Sequence, residues 1–107
     1  MEDTILYKKC EAFALRIVKL CGKLKEYNIA KKIFKCGTSI AAYLSSNIYG
    51  EGLDFRSNAK MAIKEASEAK FWLRMLFSGE YINKYDYDSL TTDVNELIKM
   101  LTEAISG

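Results

Sequence analysis

The chain of 107 residues contains no proline. Proline lacks a backbone donor and clashes with the preceding helical turn, so its absence leaves long uninterrupted helices possible. Apolar side chains recur along the chain at alternating spacings of three and four residues, which is the period of a helix that buries one face. The sequence therefore predicts an all-α fold built from long amphipathic helices.

The apolar pattern divides the chain into four predicted helices, at about residues 4–24, 27–48, 54–77 and 84–105. The seam of the first helix comprises Leu6, Cys10, Phe13, Ile17, Leu20 and Leu24. The seam of the third is centred on alanine and comprises Phe55, Ala59, Ala62, Ala66, Ala69, Leu73 and Leu76. Asn83 is the predicted N-cap of the fourth helix, and the YGEG stretch at residues 49–52 ends the second. We expect a single domain over residues 1–107, folded as an antiparallel up-and-down four-helix bundle.

The second helix carries two adjacent apolar stripes, which together are wider than one neighbouring helix needs. This width indicates burial on two sides, against its own bundle and, as one option, against another subunit. On the third helix, Glu65, Glu68 and Trp72 share one stripe beside the alanine seam. The candidate subunit-interface residues are Phe34, Ala41, Leu44, Glu65, Glu68 and Trp72.

The chain also contains no histidine, which removes the commonest general base and metal ligand. Glu65 and Glu68 could bind a metal, but such sites recruit ligands from several helices, and no matching pair of glutamates occurs on the other helices. We favour the alternative that Lys64 pairs with Glu68, and that Glu65 meets a basic residue on another helix or subunit. The prediction is a non-enzyme with no catalytic residue, no metal, no cofactor and no small-molecule substrate.

Three cysteines, Cys10, Cys21 and Cys36, form no CxxC pair. Free thiols among apolar residues are typical of a protein in a reducing cytosol. The first residues, MEDTILYKKC, do not resemble a secretory signal, and no apolar run approaches the ~20 residues of a membrane span. We expect a cytoplasmic protein that does not contact a membrane.

Charge is distributed unevenly along the chain. Residues 8–35 contain nine basic residues and two glutamates, whereas residues 80–107 contain six acidic and two basic residues. Lys9, Arg16 and Lys23 follow one another at intervals of seven and therefore lie along one helix face, and a shorter basic row occupies residues 56–64. Such a surface can follow a phosphate backbone without reading its sequence. The candidate nucleic-acid-binding residues are Lys9, Arg16, Lys19, Lys23, Lys31, Lys32 and Lys35.

Two other interpretations of these cations remain open. One is an ordinary solvated helix face. The other is a basic surface that meets the acidic fourth helix of a neighbouring subunit.

Several short segments resemble a known protein family. They are CGTSIAAYL, LDF, MAIKEASEAKFWLRML, and YI ahead of the last amphipathic helix. Together they resemble the four-helix-bundle proteins encoded in intervening sequences of 23S ribosomal RNA genes. The matching positions are Thr38, Ser39, Ile40, Asp54, Phe55, Lys64, Glu65, Glu68, Phe71, Trp72 and Leu73. The resemblance covers nearly the whole chain, and its KE..E..FWL part is fairly specific.

The resemblance implies an up-and-down bundle that assembles into a cyclic homo-oligomer, typically a pentamer, without enzymatic activity. Similar proteins include the accessory bundle proteins of diversity-generating retroelements, which use basic surfaces to engage nucleic acid and a reverse transcriptase. The chain departs from the family at Tyr43 and Ser46, where an Asn and a Glu are common, and at Asn58, where a Lys is common.

Two functional hypotheses follow. The first is a non-enzymatic, oligomeric accessory protein that binds RNA or DNA through the basic face of its first two helices. The second is a protein–protein interaction scaffold that does not bind nucleic acid.

Overall fold

A computed structural model describes residues 2–48 and 54–106 of the chain. It contains α1 (Glu2–Lys23), α2 (Tyr27–Ile48), α3 (Phe55–Ser78) and α4 (Lys84–Ser106). Each helix packs against the next along the chain, and α4 packs back against α1, whereas the diagonal pairs do not meet within the described residues. The predicted all-α, antiparallel up-and-down four-helix bundle is confirmed. The predicted turn at residues 49–52 lies outside the described residues.

One core runs through all four helices, and the predicted seams form it. Cys10, Phe13 and Ile17 of α1 are almost completely buried, as are Val94 and Leu101 of α4. The four alanines of the α3 seam are fully buried as well, at residues 59, 62, 66 and 69. Small side chains there allow the neighbouring helices to approach α3 closely.

Gly37 marks the closest approach of α2 to α1. A Cβ atom added to Gly37 would lie 2.9 Å from Cγ1 and 3.0 Å from Cγ2 of Ile17. Ile17 is fully buried, so its side chain has no free space into which it could move away from an added Cβ atom. Glycine therefore sets the distance between these two helices.

Polar caps fix where three of the helices begin. The Glu26 carboxylate accepts hydrogen bonds from the backbone N–H groups of Asn28 (3.0 Å) and Ile29 (2.7 Å) at the start of α2. The Asp54 carboxylate accepts from the first turn of α3, and the Asn83 side chain accepts from the N–H of Asp86 at 2.7 Å. These bonds satisfy donors that the first turn of a helix leaves unpaired. The prediction that Asn83 caps the fourth helix is confirmed.

Candidate nucleic-acid interface

The basic row on α1 faces α4 of the same chain. Lys9 Nζ lies 3.1 Å from Oε1 of Glu96, and Arg16 donates to the Asp93 carboxylate and to Ser89 Oγ. The acidic fourth helix meets the basic row within one chain. The positive charges of Lys9 and Arg16 are therefore partly neutralised by the carboxylates of α4.

Lys19 and Lys23 extend this row toward the end of α1. With Arg16 they line a cavity of about 190 Å³ between α1 and α4. Leu20 and Leu90 contribute apolar surface to this cavity, and Asp86 contributes a carboxylate. Three of the seven candidate cations thus come together in one groove, although the acidic residues of α4 share it.

The α2 lysines occupy a different electrostatic environment. The helix from Tyr27 to Ile48 contains no acidic residue, and Lys31 and Lys35 are exposed. No ion pair among the described residues involves either lysine. The charges of Lys31 and Lys35 are therefore available to a partner. The term α2 crest is used below for Tyr27, Lys31, Phe34 and Lys35, which lie on the outer side of α2.

The remaining candidate cation, Lys32, lies on the flank of α2 that faces α3. Its Nζ is 5.6 Å from the ring centroid of Trp72, a distance at which a cation is attracted to the face of an indole. Phe71 packs its ring edge against Trp72, with 4.9 Å between ring centroids and an interplanar angle of 77°. The buried Nε1 of Trp72 has no hydrogen-bond acceptor among the described residues.

Glu65 and Glu68 lie in the same α2–α3 groove. Burial, together with the negative charges of Glu68 and Glu65, raises the pKa of the Cys36 thiol to about 12. The predicted pair between Lys64 and Glu68 is absent from the ion pairs of the described residues. Three of the candidate subunit-interface residues, Glu65, Glu68 and Trp72, are thus brought together on one surface.

The other three candidate interface residues are not part of that surface. Ala41 and Leu44 are buried in the core of the chain itself, so they have no surface to offer to another subunit. Phe34 shares a stripe with Gly37, which packs on Ile17 of α1, and it remains 45% exposed. Phe34 therefore lies on the flank of α2 opposite to Trp72.

The described residues contain no cluster of candidate metal ligands. Among them, no group of three or more acidic or cysteine side chains is placed to hold a metal. Burial raises the pKa of Cys10 to about 12, so this thiol, like that of Cys36, stays protonated and unreactive at neutral pH. Within the described ranges, no helix combines the length and hydrophobicity needed to cross a bilayer.

A polar contact between α2 and α3 was not predicted from the sequence. Asn58 is 6% exposed, and its Nδ2 donates to Ser46 Oγ at 3.1 Å and to Asn47 Oδ1 at 2.9 Å. Ser46 and Asn58 are two of the three positions at which the chain departs from the family pattern. The resemblance pointed to these two positions separately, but the sequence carried no signal that they meet.

Comparison with known proteins identifies a matching family and similar solved structures. A family model described as "23S rRNA-intervening sequence protein" matches residues 2–103. The chain is also similar to a crystal structure from Bacteroides thetaiotaomicron VPI-5482, a protein of unknown function from the S23 ribosomal protein family. The two are 33% identical, the match covers 100% of both chains, and the TM-score is 0.90. No curated protein matches the chain.

Proposed function

The chain belongs to the 23S rRNA-intervening sequence protein family, and from that premise we propose that it is a non-enzymatic accessory protein that binds RNA. The proposal rests mainly on the composition of α2, which contains three lysines and no acidic residue. Lys31 and Lys35 are the centre of the proposed contact, since their charges have no partner among the described ion pairs. Lys19 and Lys23 extend the basic surface along α1.

Phosphate contacts of this kind give affinity without sequence preference. Each phosphate that a lysine neutralises releases counterions from the nucleic acid, so binding weakens steeply as salt rises. The α1 residues Lys9 and Arg16 contribute less, because binding RNA would require them to leave Glu96 and Asp93. Their main role is to hold α1 against α4.

The test is a charge reversal on the α2 crest. Lys31→Glu with Lys35→Glu should abolish binding of a structured RNA at moderate salt, measured by gel shift and by anisotropy across a salt series. The dependence of log K on log salt should flatten by at least about one unit per lysine lost. Arg16→Glu is a poor choice for this test, because it would also place a negative charge beside Asp93.

Lys70→Glu with Lys99→Glu is the matched control. Both lysines are exposed, on α3 and α4, and the change in net charge is the same. RNA binding that falls equally in both variants would show that only total charge matters. Undiminished binding in the α2 variant would refute the assignment to α2.

We also propose that the protein assembles with copies of itself through the α2–α3 groove. The Trp72–Phe71 pair supplies the aromatic surface that the centre of an interface favours, and Glu65 and Glu68 would belong to its polar rim. Glu65→Lys with Glu68→Lys should lower the mass measured by light scattering. The same reversal at Glu80 and Glu103, which are exposed elsewhere, should not. An unchanged mass in the first variant would place any interface on another surface.

A protein–protein scaffold is the second candidate, and one observation favours it. Leu15, Val18 and Phe34 are all exposed apolar residues, and they belong to α1 and α2, whose close approach is set by Gly37 against Ile17. Under this alternative, the α2 reversal has no RNA binding to remove. The three thiols are free, which fits the reducing cytoplasm that we propose for either function.

A further inference from the structure

We infer that the α2 crest binds single-stranded RNA by stacking unpaired bases on Tyr27 and Phe34. This inference rests on the RNA-binding function proposed above and names the class of RNA. Bases that are already stacked inside a duplex cannot offer their faces to a side chain. An aromatic platform is therefore useful for single strands, loops and bulges.

Exposure and spacing are the first observations behind the inference. Tyr27 is 72% exposed and Phe34 is 45% exposed, although large aromatic side chains are usually well buried. They are seven residues apart on one helix, so they share a face and are separated by about 10 Å along its axis. That distance is about three stacking intervals of 3.4 Å along a nucleic-acid strand.

The neighbouring charges are the second observation. Lys31 lies four residues after Tyr27 and three before Phe34, so on the helix surface this exposed lysine is a neighbour of both rings. Glu26 is the acidic residue nearest along the chain to Tyr27, and its carboxylate is occupied by the N–H groups of Asn28 and Ile29. Aromatic faces with lysines between them are the arrangement that single-strand-binding surfaces use.

Two other exposed aromatic residues, Phe71 and Tyr85, have different surroundings. Phe71 packs against Trp72, whose ring already faces Lys32. Tyr85 is 79% exposed, but the lysine beside it, Lys84, is paired with Asp88 at 2.7 Å, so its positive charge is compensated. Aromatic exposure and uncompensated positive charge therefore coincide on the α2 crest.

The experiment compares the binding of two RNAs of equal length at the same salt concentration. One is a 12-nucleotide single strand carrying 2-aminopurine, whose fluorescence reports stacking, and the other is a 12-base-pair duplex. The variants are Tyr27→Leu and Phe34→Leu, which keep an apolar side chain but remove the ring. Tyr85→Leu is the control, since it removes an exposed ring from the acidic end of the molecule.

Each α2 variant should weaken single-strand binding about tenfold, as expected when one base loses its aromatic partner. The 2-aminopurine signal should recover in parallel, whereas duplex binding and the salt dependence should not change. Circular dichroism and light scattering on each variant establish that fold and mass are retained.

Three outcomes overturn the inference. Single-strand binding that is unaffected by both α2 substitutions, while Lys31→Glu with Lys35→Glu abolishes it, would leave the proposed function standing and remove the stacking. Loss of mass in Phe34→Leu without any change in RNA binding would assign Phe34 to a protein interface. Failure of the unaltered protein to bind either RNA would overturn the proposed function and the stacking together.

Discussion

At the scale of single residues, two glycines on adjacent helices have different surroundings. Gly37 lies where a Cβ would meet the branched side chain of Ile17, whereas a Cβ at Gly22 would meet nothing within 4 Å. Glycine in a helix costs about 1 kcal/mol relative to alanine. That cost is offset at Gly37 by the close approach of two helices, but no contact offsets it at Gly22.

Alanine substitutions should therefore act in opposite directions. Gly37→Ala should lower the free energy of unfolding by about 1–2 kcal/mol, because overpacking against Ile17 exceeds the gain in helix propensity. Gly22→Ala should raise it by up to about 1 kcal/mol. Urea denaturation followed by circular dichroism measures both.

The variant Ile17→Ala provides the internal control. It opens a cavity that the new methyl group at position 37 can partly fill, so the double variant should lose less stability than the sum of the two single variants. Strictly additive losses would contradict the contact between these residues.

The contact between Asn58 and Ser46 also belongs to the residue scale. The sequence showed only that both positions depart from the family pattern, and the structure shows that they meet across α2 and α3. The resemblance to the family implies a Glu and a Lys at these positions in similar proteins, so we expect a charged pair there in place of the neutral hydrogen bond.

Exchanging both residues together tests that expectation. Ser46→Glu or Asn58→Lys alone should destabilise the bundle by about 1–3 kcal/mol, because each puts an unpaired charge into a largely buried site. The double variant should recover much of that loss. A double variant that is as unstable as the worse single variant would contradict a direct pairing of these two positions.

At the scale of whole elements, α2 shows what hydrophobic periodicity can and cannot predict. Its two apolar stripes correctly indicated burial on two sides. A helix at the corner of a four-helix bundle has two neighbours, however, and Gly37 packs on α1 while Asn58 of α3 bonds to α2. The width of the apolar surface is thus accounted for within one chain. Periodicity gives the angle of a stripe around the helix axis, but not which helix covers it.

The start of α3 depends on the ionisation of one capping residue. Hydrogen bonds from the Ser57 side chain and from the backbone of the first turn lower the pKa of Asp54 below its ordinary value of 3.8. The ionised form is therefore favoured by folding. Its contribution is present above pH 3.8 and is lost as the pH falls through the lowered pKa.

Asp54→Asn separates the effect of the capping hydrogen bonds from the effect of the carboxylate charge, because asparagine keeps a capping oxygen without a charge. The unaltered protein should exceed this variant in stability at pH 5, and the difference should shrink at pH 3. Urea denaturation at the two pH values measures it. A difference that stays constant with pH would show that the Asp54 charge does not stabilise α3.

At the scale of the whole molecule, the charge asymmetry of the chain coincides with the contact between α1 and α4. The basic row of α1 and the acidic α4 are nearly the full length of the chain apart in sequence, and two ion pairs join them. The sequence predicted both charged faces, but pairing within one chain or between chains depends on how each helix is rotated, which periodicity cannot specify. The same limit applies to the candidate site. In the structure Lys9 and Arg16 form ion pairs with α4, whereas Lys31 and Lys35 of α2 remain available to a partner.

The contribution of this contact is measurable at the pair of Arg16 and Asp93. Their side chains are 39% and 44% exposed, so a double-mutant cycle with alanine should give a coupling of only about 0.5–1 kcal/mol at low salt. The coupling should decrease as salt screens the charges. Lys9 and Glu96 are more exposed, at 49% and 56%, and lack the additional Ser89 contact, so their coupling should be smaller. The coupling free energy should be larger for Arg16 and Asp93 than for Lys9 and Glu96 only if Arg16 is held against α4 as in the structure. Couplings that are equal, or that do not change with salt, would mean that the α1–α4 contact depends on the apolar residues between the pairs.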